Sequence, residues 1–302
     1  IRPADHLKHI SNSPKPYVLS TIYLDYSDFD RHGRSLLFRG LFRGLGKYRS
    51  EYVKNLYRYA RSQDRMVSSS YLLGHRRAML KILKGASLLL PNSKSEYDRL
   101  QADTGIHKEY HIIPNGIDSR IFGHDLPDIR REKKVLCVAQ VYGMKNQHML
   151  IQACRELAYP LVIIGKPPPN HVAYFEFCKR IADKSVSFID FVPQRELVNH
   201  YASAEVHALP SWFETTGLTS LEAAAMGCKT VVGKGGDTYE YFGPQAWYCD
   251  PSAPESIRDA LRHAMESPAS NILGEKILKE NTWERAAQET LAAYEKVLHE
   301  RT

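Results

Sequence analysis

A chain of 302 residues is long for one hydrophobic core and predicts about two domains. Its 43% hydrophobic and 25% charged content is that of a globular protein. No apolar run approaches the ~20 residues of a membrane span, which excludes one here, and we also expect no signal peptide. The net charge of +7 is concentrated in residues 1–130, where 22 Lys and Arg face 13 Asp and Glu. This basic half predicts either an anionic partner or a well-solvated basic surface.

The first part of the chain predicts two strands, at 16–24 and 86–91, because each is a short apolar run bounded by proline or polar residues. The basic, tyrosine-rich region 31–83 between them is predicted to be mostly helical. A helix is expected after Ser95, whose hydroxyl suits an N-cap. The sequence Pro-Asn-Gly at 114–116 predicts a turn.

The segment 34–49 is the most basic part of this region and contains no acidic residue. Leucines recur at every fourth residue from Leu37 to Leu45, while Arg39 and Arg43 lie on another face. This pattern favours peripheral contact with an anionic membrane. The alternative is a helix that faces the core and has a solvated basic side.

A polar, irregular stretch at 119–133 separates this region from a regular alternation of strands and helices. We therefore predict a partial N-terminal domain over 1–125, a second domain over 126–282 and a final helical segment over 283–302. The predicted strands are 135–141, 161–165, 186–192, 206–210, 230–233 and 246–249. The predicted helices are 146–157, 171–183, 194–203, 218–226, 254–266 and 283–298. Such alternation specifies a parallel sheet with helices on both faces. Ala287, Leu291, Tyr294 and Leu298 form the stripe of the last helix that is predicted to need a partner surface.

Five cysteines are scattered along the chain without a C-x-x-C pair. They predict reduced, partly buried thiols in a reducing compartment rather than a disulfide frame or a zinc site. The expected location is therefore cytoplasmic.

The stretch 210–227 carries most of the chemistry and reads Pro-Ser-Trp-Phe-Glu-Thr-Thr-Gly-Leu-Thr-Ser-Leu-Glu-Ala-Ala-Ala-Met-Gly. An apolar run precedes it and helix formers end it, so it predicts a loop and a helix start after a strand. The amino end of a helix offers unpaired N–H groups and a partial positive charge, which suit a phosphate. Glu214 and Glu222 would repel a phosphate but can accept hydrogen bonds from sugar or ribose hydroxyls. Together these groups indicate a nucleotide sugar.

The Glu-x7-Glu spacing within this eighteen-residue string resembles the retaining GT-B glycosyltransferases of the glycogen-synthase-like group, glycosyltransferase family 4. The other blocks that follow the order of that family are 114–118, 135–141 with Lys145, 161–165, 188–192 and 235–240. The resemblance implies an α/β fold of two Rossmann-like domains that face each other across a cleft, with the last helix crossing back to the first domain. It also implies that the first domain is incomplete here and that about a third of the usual protein is missing.

The resemblance assigns Lys145 to the donor diphosphate, Glu214 to the hydroxyls of the donor sugar and Glu222 to the ribose. It makes Lys145 and Glu214 the predicted catalytic residues. In a sheet of order 3-2-1-4-5-6, the loops after the first and fourth strands meet at the switch point, and these loops contain the same two residues. The full set of predicted donor-binding residues is Gln140, Lys145, Val192, Glu214, Thr216, Gly217, Leu218, Glu222 and Lys234.

Two positions depart from the family's pattern. Gln140 stands where an arginine is usual, and Tyr23 stands where a histidine is usual. A diphosphate carries about −2, which a helix end of roughly +0.5 and one lysine do not balance. We expect Lys234 to supply the missing charge, with Lys166 as the next candidate.

The activity implied is metal-independent transfer, with retention, from a nucleoside-diphosphate sugar to a glycan or lipid-linked acceptor. Asp28-Phe-Asp30 resembles a D-x-D metal site but lies in the wrong domain for one. The first alternative is a catalytically weak or inactive nucleotide-sugar-binding regulatory subunit, favoured by the departures at Gln140 and Tyr23. Another is a GT-B epimerase or phosphorylase, although no lysine stands in a recognisable Schiff-base setting. The basic half contains no recognisable nucleic-acid-binding module, so no nucleic acid is expected as a partner.

Overall fold

The computed structural model of the protein describes residues 16–33, 75–123 and 129–299. Its strands are β1 Val18–Ser20, β2 Leu88–Leu90, β3 Glu132–Val138, β4 Leu161–Ile164, β5 Val186–Ile189, β6 Ala204–Leu209, β7 Lys229–Gly233 and β8 Trp247–Cys249. Its α-helices are α1 His75–Gly85, α2 Lys94–Thr104, α3 Gln147–Glu156, α4 Val172–Ile181, α5 Gln194–Ser203, α6 Leu218–Ala225, α7 Thr238–Phe242, α8 Pro254–Glu266, α9 Ile272–Glu280 and α10 Trp283–His299. The basic segment 34–49 lies outside the described residues. No described helix combines the length and apolarity needed to cross a bilayer.

The chain divides into two compact units, one built from residues up to 23, 30–113 and 288 onward, the other from 24–29 and 114–287. The second unit includes 114–123, which composition had placed with the first. Backbone contacts explain this assignment, because the Ile117 N–H donates to the Asn281 carbonyl at 2.9 Å and Gly116 lies directly against the Thr282 backbone.

The first unit contains β1 and β2 paired in parallel, with Val18 opposite Leu88. Strand β2 is buried on both faces, which explains why its sequence is a continuous apolar run. Helix α2 begins two residues earlier than predicted and is capped by Ser93 rather than Ser95, since the Ser93 hydroxyl accepts from the Glu96 N–H at 3.0 Å.

Helix α10 belongs to both units, since residues up to 287 are assigned to the second and the rest to the first. The face that packs on β2 carries Ala293 and Val297. Leu291, Tyr294 and Leu298 are instead 58%, 48% and 63% exposed, so the stripe predicted to be packed was wrong. The helix packs through its smaller side chains, which allow close approach to the sheet.

The second unit is built on a six-stranded parallel sheet of order β5-β4-β3-β6-β7-β8, which is the predicted 3-2-1-4-5-6 arrangement. All six predicted strands of this sheet occur, with ends shifted by a few residues. Helices α7 and α9 were not predicted. Apolar clusters cover both faces of the sheet, and all five cysteines are buried and unpaired.

Arg131 ties together the ends of two helices in this unit. Its guanidinium donates to the carbonyls of Tyr201 and Ala204 at 3.0 and 2.6 Å, and also to the carbonyl of Met226. These carbonyls lie at the carboxyl ends of α5 and α6, where few intrahelical donors remain, although that of Tyr201 also accepts from the Ala204 N–H. A single cation therefore donates to three main-chain acceptors.

Candidate functional site

The two predicted catalytic residues, Lys145 and Glu214, lie in the loops after β3 and β6, the adjacent strands at which the sheet order reverses. Parallel sheets of this kind leave a crevice for ligands at that point. The loops that follow the two strands contact each other, because the Trp212 N–H donates to the Met144 carbonyl at 2.9 Å. The two loops that topology and sequence resemblance both indicated are thus in direct contact.

Lys145 and Glu214 form an ion pair across these two loops. Lys145 ends a 3-10 turn, Gly143–Lys145, and its Nζ lies 2.5 Å from Glu214 Oε1. The side chains are only 18% and 11% exposed. Burial lowers the pKa of Lys145, but the charge and hydrogen bond of Glu214, with contributions from Tyr142 and other nearby groups, together outweigh burial and hold that pKa above its ordinary value. The lysine is therefore a fixed cation at neutral pH.

A glycine-rich segment after β7 holds the Glu214 loop in place. The Glu214 N–H donates to the Gly235 carbonyl at 3.2 Å, and the Asp237 N–H donates to the Glu214 carbonyl at 2.8 Å. Gly236 has φ +91°, and a Cβ on it would lie 2.0 Å from the Glu214 carbonyl oxygen. Only glycine permits this approach, which gives a physical reason for the Gly235-Gly236 pair.

Helix α6 begins beside the ion pair. Its N-cap is Gly217, in the left-handed region at φ +79°, and no side chain caps the helix. The Ser220 and Leu221 N–H groups donate to the Gly217 carbonyl at 2.8 and 3.0 Å. Within the described part of the chain, no backbone carbonyl accepts from the N–H groups of Leu218 and Thr219. Free N–H groups at a helix start, together with the helix dipole, are the kind of donors that suit an anion.

Thr216, just before this helix, is held by residues that sequence reasoning missed. The Asn115 side-chain amide donates to the Thr216 hydroxyl at 2.8 Å, while the Asn115 N–H donates to the Tyr241 hydroxyl at 3.1 Å. Asn115 stood in the Pro-Asn-Gly turn and in a block that follows the order of the family, but it was given no role in the site. Asn115 and Thr216 are 101 positions apart in the chain, so the sequence gives no indication that they are in contact.

Glu222 lies in the second turn of α6 and is almost fully buried. The Tyr201 hydroxyl donates to its Oε2 at 2.9 Å, and the Gln194 amide donates to its Oε1 at 3.0 Å. Burial raises the pKa of Glu222, and these two hydrogen bonds partly offset that rise. Neither partner was predicted, because both come from α5 and only packing brings that helix alongside α6.

The other predicted residues lie in different settings. Lys234 forms an ion pair with Asp250 at 2.5 Å and is 61% exposed. Gln140 has an exposed side chain, and its carbonyl accepts from the Gln147 amide at 2.9 Å. Val192 is half-buried against the core of the second unit. The structure thus joins Lys145 to Glu214 but gives Lys234 a separate partner.

Tyr23 belongs to the first unit. Its N–H donates to Glu96 Oε1 at 2.8 Å, and its carbonyl accepts from Arg99 at 3.2 Å. Glu96 is fully buried and also accepts from the Asn92 N–H at 2.8 Å. Two charged residues of α2, Glu96 and Arg99, therefore hold the main chain after β1. Among the described residues, no three His, Cys, Asp or Glu side chains are close enough together to hold a metal ion.

A six-stranded parallel sheet of this order, with a lysine and an open helix start at its switch point, is a Rossmann-like domain, the unit from which GT-B glycosyltransferases are built. The sequence profile described as "Glycosyl transferases group 1" matches residues 125–288. The chain belongs to this family.

Its similarity to known proteins is distant but extensive. It is 27% identical over 226 residues to MMP alpha-(1->4)-mannosyltransferase of Mycolicibacterium hassiacum, covering 70% of this chain and 54% of that protein. It is 28% identical over 222 residues to a GDP-mannose-dependent alpha-(1-6)-phosphatidylinositol monomannoside mannosyltransferase of Mycolicibacterium smegmatis, covering 64% and 56%. Sucrose-phosphate synthase from Thermosynechococcus elongatus shares the fold, with a TM-score of 0.67 at 17% identity over 81% of this chain and 66% of that one. The chain spans a little over half the length of the two mannosyltransferases.

Proposed function

We propose that this protein transfers a sugar, with retention and without a metal ion, from a nucleoside-diphosphate sugar to a glycan or lipid-linked acceptor. The observation that carries the proposal is the Lys145–Glu214 pair beside the uncapped amino end of α6. One half of this site suits an anion and the other half suits hydroxyl groups, and both halves are held by the same two loops.

In the proposed reaction the bond between the anomeric carbon and the diphosphate oxygen breaks, and negative charge collects on the departing diphosphate. Lys145 and the N–H groups of Leu218 and Thr219 stabilise that charge. Such preorganised donors are the main source of catalysis when charge develops on a leaving group. Each charge-assisted contact is expected to contribute about 1.5–3 kcal/mol.

The two carboxylates are proposed to bind hydroxyls. Glu214 would accept from the donor sugar while it keeps Lys145 oriented, and Glu222 would accept from the ribose. Because Glu214 already neutralises Lys145, a diphosphate of about −2 is compensated even less than the sequence suggested. Lys234, which directly follows β7, remains the proposed additional cation.

The acceptor is proposed from chemistry and from relatives. The name of one relative specifies phosphatidylinositol monomannoside, a lipid-linked acceptor. The basic apolar segment 34–49 would bring such an acceptor within reach by contact with the inner face of the membrane. Flotation with vesicles that contain anionic lipid is expected to show binding that high salt abolishes. Binding that is absent, or equal on neutral vesicles, removes membrane contact from the proposal.

The activity itself is tested in two steps. A thermal-shift panel of uridine, guanosine, adenosine and thymidine diphosphate sugars identifies the donor. Product analysis with that donor, labelled in the sugar, then detects transfer, and NMR of the product gives the anomeric configuration. Unchanged rates in excess EDTA are expected. An inverted product refutes retention, and a protein stabilised by none of the donors refutes the assignment.

The second candidate is a donor-binding subunit without transferase activity. It is favoured by Gln140 and Tyr23, the two positions that lack the family's usual cationic side chains. The same product analysis decides between the two, because such a subunit binds the donor but neither transfers nor hydrolyses the sugar.

A further inference from the structure

Helix α5 supplies both hydrogen-bond partners of Glu222, and the two partners differ in accessibility. Tyr201 is fully buried, and its hydroxyl donates to Oε2 at 2.9 Å. Gln194, at the first turn of the same helix, is exposed and donates to Oε1 at 3.0 Å. Oε2 of the carboxylate thus accepts from a buried side chain, and Oε1 accepts from an exposed one.

The Tyr201 side chain has no room to move. Its ring makes edge contacts with Phe122 and His207 at centroid distances of 5.9 and 6.0 Å, and its carbonyl accepts from Arg131. A phenol has one hydrogen to donate, and here Glu222 accepts it. A carboxylate oxygen can accept more than one hydrogen bond, but the buried phenol holds Oε2 from the protein interior, whereas a ligand hydroxyl can replace the exposed Gln194 amide at Oε1.

We propose that Tyr201 is a positioning residue that holds the Glu222 carboxylate so that Oε1 alone is presented to the donor ribose. Gln194 occupies Oε1 until the ribose hydroxyl takes its place. This inference rests on the proposed function, since it names the group that orients the ribose acceptor of the same site. It also assigns a specificity to Tyr201, namely the preference for ribose over a sugar that lacks hydroxyls.

The electrostatic setting is consistent with this role. Burial raises the pKa of Glu222, and the hydrogen bond from Tyr201 opposes that rise. Burial also lowers the pKa of the neighbouring His207 to about 3 and raises that of Cys228 to about 11, so both are neutral near pH 7. Arg131 reaches this region only through main-chain carbonyls and the Cys228 sulfur. Without the Tyr201 hydroxyl the pKa of Glu222 should rise further. The pH below which protonation of Glu222 weakens ribonucleotide binding is therefore expected to move towards neutral.

The experiment uses the full chain and compares Tyr201→Phe with Tyr174→Phe. Tyr174 is a matched control, because its hydroxyl accepts from the His148 N–H at 3.1 Å and lies on another helix. Dissociation constants are measured by calorimetry for GDP, UDP and ADP and for their 2′,3′-dideoxy forms. For the diphosphate that binds, wild type is expected to prefer the ribose form by about tenfold or more. Tyr201→Phe should reduce that preference to about threefold or less, while Tyr174→Phe should keep it.

A second variant keeps the inference testable if the buried substitution unfolds the protein. Gln194→Ala removes the exposed competitor, so ribonucleotide affinity should stay unchanged or rise by up to about threefold and the ribose preference should persist. A fall of more than about threefold overturns the place-holder role.

An unchanged ribose preference in a folded Tyr201→Phe protein overturns the role of Tyr201, even if sugar transfer is intact. If wild type binds none of the three diphosphates and none of the four donor sugars stabilises it, the proposed function fails first and this inference fails with it. If only the thymidine donor stabilises it, the proposed function stands and only the inference about ribose fails. If wild type binds but shows no ribose preference, only the inference fails.

Discussion

Replacing Lys145 by alanine is expected to weaken donor binding by at least about tenfold while the protein stays folded. The Nζ–Oε1 distance of 2.5 Å and the low exposure of both side chains mean that little water screens this site. A charge-assisted hydrogen bond contributes about 1.5–3 kcal/mol, which corresponds to roughly 10- to 150-fold in a dissociation constant. Because Glu214 already holds Lys145 in the free protein, the diphosphate gains only part of that contact. The lower part of the range, about 10- to 40-fold, is therefore expected.

Glu214→Gln is expected to act differently on the nucleoside diphosphate and on the nucleotide sugar. Glutamine keeps the size of the side chain and can still accept from Lys145, but it no longer repels a diphosphate. Affinity for the diphosphate alone should stay equal or rise several-fold, whereas the rate of sugar transfer should fall by about two orders of magnitude. Without the Glu214 charge, the largest influence that opposes burial is lost and the pKa of Lys145 should fall from its raised value.

Isothermal titration calorimetry with both ligands measures these constants, and thermal denaturation checks the fold. Lys179→Ala is the matched control, since this exposed lysine of the same unit pairs with Glu176 at 3.2 Å and lies on α4. Two results would refute the reasoning. One is a Lys145→Ala protein that binds donor within threefold of wild type. The other is a Glu214→Gln protein that loses diphosphate affinity as severely as Lys145→Ala, because the pair would then be a structural unit only.

Three further substitutions test the surroundings of the site. Lys234→Ala should raise the donor dissociation constant several-fold with little change in stability, since exposed ion pairs contribute about 0–1 kcal/mol; an unchanged constant rejects its role. Burial raises the pKa of Asp250, but its hydrogen bonds, that from Lys234 foremost, outweigh burial and lower the pKa to about 2. The stability from this pair should therefore be present above about pH 4 and be lost between about pH 4 and 2, as acid titration with NMR detection can show. Arg131→Met should lower the free energy of unfolding in urea by about 2–4 kcal/mol, because three main-chain carbonyls lose a charged donor; a loss no larger than at an exposed arginine contradicts this. Gly236→Ala should abolish donor binding, because the new Cβ would lie 2.0 Å from the Glu214 carbonyl oxygen and must displace it. Gly105→Ala is the control: its Cβ would meet nothing within 4 Å, so donor binding should persist while the free energy of unfolding falls by about 1 kcal/mol. Equal donor binding by the two variants would refute the close-approach argument.

The sheet of the second unit could be predicted because each of its strands is a short apolar run between turn signals, as buried parallel strands are. Strand alternation also predicted the order β5-β4-β3-β6-β7-β8, and with it the switch point that brings Lys145 near Glu214. Helix α9 was missed although its apolar residues recur at helical spacing. The short helix α7 has only five residues and leaves little periodic signal.

The sequence by itself determined the class of fold and the position of the proposed anion site, since both follow from local patterns of apolar residues, glycines and a helix start. Only the tertiary structure decided which groups act together. Tyr201 and Gln194 reach Glu222 because α5 packs beside α6, and Lys234 pairs with Asp250 because β7 and β8 end side by side. It also decided which face of α10 is buried, against the stripe that periodicity favoured. The physical reason is that periodicity records which residues avoid water along one element, whereas hydrogen-bond partners and packing faces depend on how separate elements meet.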